Sequence, residues 1–144
     1  MILLDASCAV SLFGGEPGQD DVVAALRTSC AMNVLNRAEV INRLARRGAP
    51  SEAVAADLDI LGISFVSLTV ELADKAATLR TQHYHRSRRP LSMADCVALA
   101  TAMELGSALA TSDVHLATTC GEVGCAVVEI ANSKGVYPLT KLRS

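Results

Sequence analysis

The sequence predicts an α/β fold, a parallel sheet with helices on both faces. Three features of its 144 residues carry that expectation. Short apolar runs alternate along the chain with longer stretches of helical spacing, the pattern of successive strand–helix–strand crossovers. The stretch 92–105 places Ala94, Val97, Ala98, Leu99 and Ala102 at helical spacing on several sides at once. A helix apolar on so many sides is covered on more than one face, which suits a central position. Finally, a chain of this length buries a sizeable core. One domain over residues 1–144 is expected, with the part beyond about 130 unassigned.

In order, Ile2, Leu3 and Leu4 read as the first strand, ending in Asp5-Ala6-Ser7. A helix over 8–13 follows, closed by Gly14 and Gly15. This turn lacks both GxGxxG and GxxxxGK[ST], and an acid stands where nucleotide-binding folds put glycine. After the loop Glu16-Pro17-Gly18, residues 20–28 form an amphipathic helix carrying Val22, Val23 and Leu26, and 30–34 a second strand. Residues 35–48 form a helix with Val40, Ile41 and Leu44 inward and Gly48 as its stop. Arg43, Arg46 and Arg47 fall in its last turn, as the helix dipole favours. Pro50 opens a helix with Val54, Leu58 and Leu61 at i, i+4, i+7, and 63–68 is a third strand. Thr69 caps the next helix, whose inner face is Leu72, Ala76 and Leu79. The basic loop HYHRSRRP (83–90) leads into the central helix, which Gly106 stops. A strand, SALAT, runs into Ser112 and Asp113, followed by a short helix over 115–120, a last strand over 125–129, and a polar tail.

Composition narrows the function. The chain is 51% apolar and 19% charged, within the range of globular proteins, and no run approaches the ~20 apolar residues of a membrane span. Aromatics are only 3%, so base stacking is not a main mode of recognition. The net charge of -2 looks wrong for a polyanion binder. If four acids sit in one site, however, 13 basic residues face 11 remaining acids on the rest of the chain. The five cysteines, odd in number and mostly in apolar segments, point to reduced thiols in the cytoplasm. Cys120-x4-Cys125 is not a zinc-knuckle spacing. Met1 to Leu4 meets Asp5 at once, so no signal peptide is read.

Four acids stand at strand-to-helix junctions: Asp5 after the first strand, Glu39 early in the helix around Asn36, Asp95 in the first turn of the central helix, and Asp113 after SALAT. Each has a local explanation. Ser92-x-x-Asp95 resembles a capping box, Asn36-x-x-Glu39 a looser one, and Asp5 and Asp113 suit N-caps. Jointly they mean more, because such junctions share the ligand-binding edge of a doubly wound sheet. Two carboxylates ~4 Å apart repel by roughly 4 kcal/mol at an effective dielectric of 20. A cluster of four is costly unless protons or cations neutralise it. Oxygen-only ligands suit a hard ion such as Mg2+ or Mn2+, which activates water and offsets charge on a phosphate under attack.

With these residues in view, the chain resembles the PIN-domain ribonucleases, and more narrowly the VapC-type toxins of bacterial and archaeal toxin–antitoxin pairs. The resemblance runs from Met1 to about Val128. It rests on LLDAS, NRAEVINRLARRG, LSMADCVALATAMELG and ALATSDVHL in this order and spacing. It implies a PIN-like three-layer α/β/α fold with a five-stranded parallel sheet. It also implies a metal-dependent endoribonuclease cutting an RNA such as tRNA or ribosomal RNA. Its catalytic and metal-holding acids would be Asp5, Glu39, Asp95 and Asp113, around Mg2+ or Mn2+. A homodimer and inhibition by a small cognate antitoxin protein are implied too. Ser7, Thr111 and Ser112 match family positions that orient acids or bound water. Many relatives carry a further acid just after the position of Asp113; here Val114, His115 and Leu116 follow, which leaves one or two ions open.

Arg43, Arg46, Arg89 and His115 are candidate RNA contacts, set against the ordinary reading of solvated surface charge. Cys8 and Cys96 flank the acids, but nothing near them in sequence lowers a thiol pKa, so they are read as packing. Two other readings stand beside the nuclease. One is an interaction module of the same fold whose acids are only caps. The other is a receiver-type phosphoacceptor, which loses support because Lys75, mid-helix, is the only lysine before residue 134.

Overall fold

The computed structural model describes residues 1–143, with side chains through Thr140. The chain runs β1 (Ile2–Leu4), α1 (Ala6–Gly14), α2 (Gln19–Ala25), β2 (Cys30–Asn33), α3 (Val34–Ala45), α4 (Ser51–Ile60), β3 (Ser64–Val66), α5 (Val70–His83), α6 (Met93–Leu105), β4 (Ala108–Thr111), α7 (Val114–Val123), β5 (Val127–Glu129) and α8 (Pro138–Arg143). All strand pairs are parallel, in the order β3-β2-β1-β4-β5, with helices on both faces. This is the expected three-layer architecture. The order reverses at β1, which pairs with β2 on one side and β4 on the other, so a topological switch point lies between β1 and β4.

Strand alternation divides the core in two. Leu3, Ala31 and Leu109 are in register and face the layer of α5, α6 and α7. Leu4, Met32 and Ala110 turn to the opposite face and meet Val10, Val22, Val40 and Leu58 of α1 to α4. The central helix α6 is buried without a break from Cys96 to Ala102, as its all-round apolar pattern requires. Its ends are less covered: Met93 and Leu105 are both exposed. Gly106 holds the C-cap at φ 62°, and the chain turns there into β4. On α5 the inward residues are Leu72, Ala76 and Leu79 under the Thr69 cap, the face read from the sequence.

Several boundaries differ. The helix expected to stop at Gly48 starts earlier, at Val34 under an Asn33 cap, and ends at Ala45 with Arg46 as its C-cap. Gly48, at φ 98°, lies in the turn beyond. The third strand is shorter than 63–68, and α7 extends well past Cys120 to Val123.

The tail is the larger difference. Ile130 and Ala131 are buried, and Asp21 of α2 receives both the Ala131 N–H and the Tyr137 hydroxyl, each at 3.0 Å. Gly18 lies so close to the Ala131 carbonyl that any Cβ there would collide with it. These ties join positions more than a hundred residues apart, which no local pattern announces. Among the described residues no helix is long and apolar enough to cross a membrane, and the five cysteines are free thiols.

Candidate functional site

The strand ends and helix starts at the switch point enclose a cavity of about 300 Å3. Its lining includes Asp5, Glu39, Asp95 and Asp113, together with Ser7, Asn36, Arg43, Ser92 and Ser112. Four segments far apart in sequence thus bring four carboxylates to one place.

Each aspartate is also a helix cap. Asp5 is the N-cap of α1, and its Oδ1 accepts from the Cys8 N–H at 3.3 Å. Asp113 caps α7, Oδ1 accepting from the Leu116 N–H at 2.8 Å. Asp95 completes a capping box on α6: its Oδ2 accepts from the Ser92 N–H at 2.9 Å, and the Ser92 hydroxyl accepts from the Asp95 N–H at 3.0 Å. The local reading and the convergent one therefore coexist. A carboxylate has two oxygens, and the cap bonds use one from each side chain. Glu39 is different. The cap of α3 is Asn33, so no capping box joins Asn36 to Glu39, and Glu39 sits more than a turn inside the helix. Asn36, Glu39 and Arg43 follow at i, i+3, i+7 and all face the cavity.

Hydroxyls tie the strand ends together. The Ser112 N–H donates to Ser7 Oγ at 3.2 Å, and Ser7 Oγ donates to Asp5 Oδ1 at 2.5 Å. Thr111 is fully buried; its Oγ1 accepts from the Asp113 N–H at 3.0 Å and also lies against Asp5. The Cys8 thiol donates to Asp5 Oδ1 at 3.5 Å and to the Ala110 carbonyl at 3.3 Å. Burial and the neighbouring Asp5 push that thiol far above its ordinary range, so it is no nucleophile.

The electrostatics are those of crowded acids with too few counter-charges. Asp95 is pushed up to about 6, first by burial and further by Asp113 and Asp5, against the Ser92 N–H. Burial raises Asp5, opposed by the hydroxyls of Ser7 and Thr111. Glu39 is raised by burial and by Asp5, with the Arg43 guanidinium and the Asn36 amide pulling the other way. Arg43 is the one basic side chain lining the cavity among the described residues. It also borders a second cavity, of about 320 Å3, with Arg46 and Arg47.

Oxygen donors, low polarity behind them and unbalanced negative charge are the chemistry of a hard-cation site. Among the described residues no three acidic, His or Cys side chains stand close enough to enclose a bare ion. The donor set fits a hard cation in kind, although its oxygens are not drawn together around one point.

Two candidates lie elsewhere. Arg89 donates to Glu122 Oε2 at 2.6 Å and to Thr119 Oγ1 at 3.4 Å, so its charge is already matched away from the acids. His115, on the first turn of α7, does not line the cavity. Asn36 is the residue that sequence reasoning missed in this role. The polar stripe Asn36, Glu39, Arg43 beside the inward Val40 and Leu44 was the available signal.

The family model described as PIN domain matches residues 2–122. No curated protein matches this sequence. Similar solved structures include a toxin–antitoxin complex from Klebsiella pneumoniae, 19% identical, with a TM-score of 0.65 over 81% of this chain and 90% of that one. VapC20 of Mycobacterium tuberculosis, described as a toxin cleaving the sarcin–ricin loop, is 18% identical, with a TM-score of 0.63 over 74% of this chain and 85% of its own. VapBC2 of Rickettsia felis, bound to a promoter DNA fragment, is 15% identical, with a TM-score of 0.66 over 88% and 97%. At these identities the likeness is one of fold.

Proposed function

This chain belongs to the PIN-domain family, and from that premise we propose that it is a metal-dependent endoribonuclease, the toxin of a toxin–antitoxin pair. The observation that carries the reading is the meeting of four carboxylates from four separate segments at one cavity. Asp5, Asp95 and Asp113 would hold Mg2+ or Mn2+ partly through retained water, since no three of the acids stand close enough to enclose a bare ion, and Glu39 would complete the set directly or through water. A divalent cation there lowers the pKa of water and offsets charge on the phosphate.

The chain's own groups do the rest. Ser7, Thr111 and Ser112 fix the strand-end acids by the hydroxyl and amide bonds described above. Glu39, raised from its ordinary range by burial, suits the uptake of a proton from the attacking water at a carboxylate oxygen. Arg43 borders both the acids and the arginine-lined cavity, and with Arg46 meets the phosphates flanking the scissile one. Attack by water leaves a 5′-phosphate and a 3′-hydroxyl.

The solved structure named as a toxin–antitoxin complex supports a small antitoxin as partner, and the free thiols of the five cysteines support a cytoplasmic setting. We read residues 1–144 as one nuclease domain acting as a homodimer. RNA cleavage with and without EDTA tests the reading, with Asp5→Asn and Asp95→Asn as controls. Activity is expected to vanish with EDTA and to fall by about a hundredfold or more in each variant. Metal-independent cleavage, or full activity in both variants, overturns it.

One observation favours a second reading, an interaction module without catalysis: all three aspartates serve their own helices. Calorimetric titration with Mn2+ separates the two, since dispersed caps bind no stoichiometric ion.

A further inference from the structure

We infer that Asn36 is a positioning residue of the acid cavity, its orphaned side-chain oxygen waiting for a hydrogen-bond donor that enters with the cation. The inference rests on the cation-binding reading of the same site.

Asn36 is 1% exposed, yet it lines the cavity. Its Nδ2 donates to the Ala94 carbonyl at 3.2 Å, joining the helix that carries Glu39 to the residue before Asp95. Its Oδ1 is buried and has no partner among the described residues. Reversing the amide does not remove the orphan, because the Ala94 carbonyl can only accept and needs the nitrogen where it is. Buried acceptors are nearly always satisfied in native proteins, so this one needs an account.

Asn33 supplies the comparison. It is fully buried at the start of the same helix, and its Nδ2 donates to Thr101 Oγ1 of α6 at 3.1 Å. Its Oδ1 accepts from the Leu35 N–H at 2.9 Å, so Asn33 ties the two helices with nothing left over. Asn36 makes the equivalent tie one turn further along and keeps a free acceptor beside the acids.

The missing partner must be a donor. The four carboxylates are acceptors when ionised, the Ser7 hydroxyl is already committed to Asp5, and none of the other cavity donors, Arg43, Ser92 and Ser112, bonds to this oxygen. A hard cation brings donors with it, because it retains water of hydration. The role of Asn36 is then twofold. The amide nitrogen sets the spacing between the Glu39 and Asp95 helices, and the amide oxygen orients one incoming water.

The test is Mn2+ titration calorimetry and thermal melting on the full chain, comparing wild type with Asn36→Leu and Asn36→Asp. Asn36→Leu keeps the branching at Cγ, with a larger side chain, and removes the orphan. It is expected to melt no lower than wild type without metal, yet to bind Mn2+ about tenfold more weakly. Asn36→Asp keeps an oxygen in place of Oδ1 and is expected to hold Mn2+ within about threefold of wild type, or more tightly. If Leu is not accommodated, Asn36→Ala is expected to show the same loss. Wild-type affinity in Asn36→Leu or Asn36→Ala overturns the inference, as does an equal loss in Asn36→Asp, which would assign the whole effect to the inter-helix tie. A wild-type chain that binds no Mn2+ overturns the cation reading itself, a result distinct from failure at Asn36 alone.

Discussion

Two clusters of charge on this molecule make opposite use of the same carboxylate chemistry. At the far end of α7, Glu122 meets Arg89 at 2.6 Å and the His83 ring at 3.3 Å, with its own side chain 45% exposed. The hydrogen bond from Arg89 holds the Glu122 carboxyl below its ordinary range. In the acid cavity the shifts go the other way: burial and mutual repulsion push Asp95 up to about 6, and burial raises Asp5 and Glu39. The first cluster is a matched surface pair, which stabilises modestly and asks for nothing more. The second is half-buried and sets one guanidinium, Arg43, against four carboxylates, an imbalance that a bound proton or cation would relieve. Direction of shift, more than number of charges, separates a structural cluster from a candidate functional one.

The contrast is sharpest in stability against pH. Asp95 has a folded pKa raised above its unfolded value, from 3.8 to about 6. The metal-free fold is therefore penalised above the upper value, and the penalty fades as pH falls toward the lower one. Two pKa units correspond to about 3 kcal/mol. Asp95→Asn, a mimic of the neutral acid, should raise metal-free stability at pH 7.5 by about 1–3 kcal/mol and lose that advantage near pH 4. Denaturant melts at both pH values measure it; a destabilised variant at pH 7.5 would break the contrast.

A smaller effect is expected in cation affinity. A cation competes with the proton that Asp95 takes up, so Mn2+ affinity should rise with pH, by about tenfold between pH 5 and 7.5. It should then level off. Calorimetry across that range, with proton release read from buffers of different ionisation heat, provides the check. A flat profile would remove Asp95 from the binding set.

Least affected should be the matched pair. Arg89→Ala is expected to change stability by no more than about 1 kcal/mol and to leave RNA cleavage intact. Arg43→Ala should weaken substrate binding and flatten its salt dependence. Equal losses of cleavage in the two variants would erase the distinction between the clusters.

Much of the fold was written in local pattern. The apolar run Ile2–Leu4, the Thr69 cap with its inward Leu72, Ala76 and Leu79, and the all-round apolar α6 were each readable because period and capping are short-range properties. The helix from Val34 begins one residue before its apolar spacing predicts, because its cap, Asn33, lies in what reads as strand. The tail was unreadable for a stronger reason. Its anchors, the Ala131 N–H and the Tyr137 hydroxyl, both reach Asp21 across the length of the chain. Arg89 stands in the sequence only as a candidate RNA contact, and its pairing with Glu122, thirty-three residues on, is a tertiary contact that no local pattern announces.

By itself, then, the sequence determined the class of fold, the strand-to-helix junctions and the acids standing on them, since each depends on residues within a turn or two. Only the tertiary structure decided that those junctions share one cavity, that Arg43 faces it while Arg89 does not, and that Asn36 ends with an oxygen unpaired. Those outcomes depend on which helix packs on which. Helix packing is set by the whole buried surface at once, and so it leaves no signature at any single position.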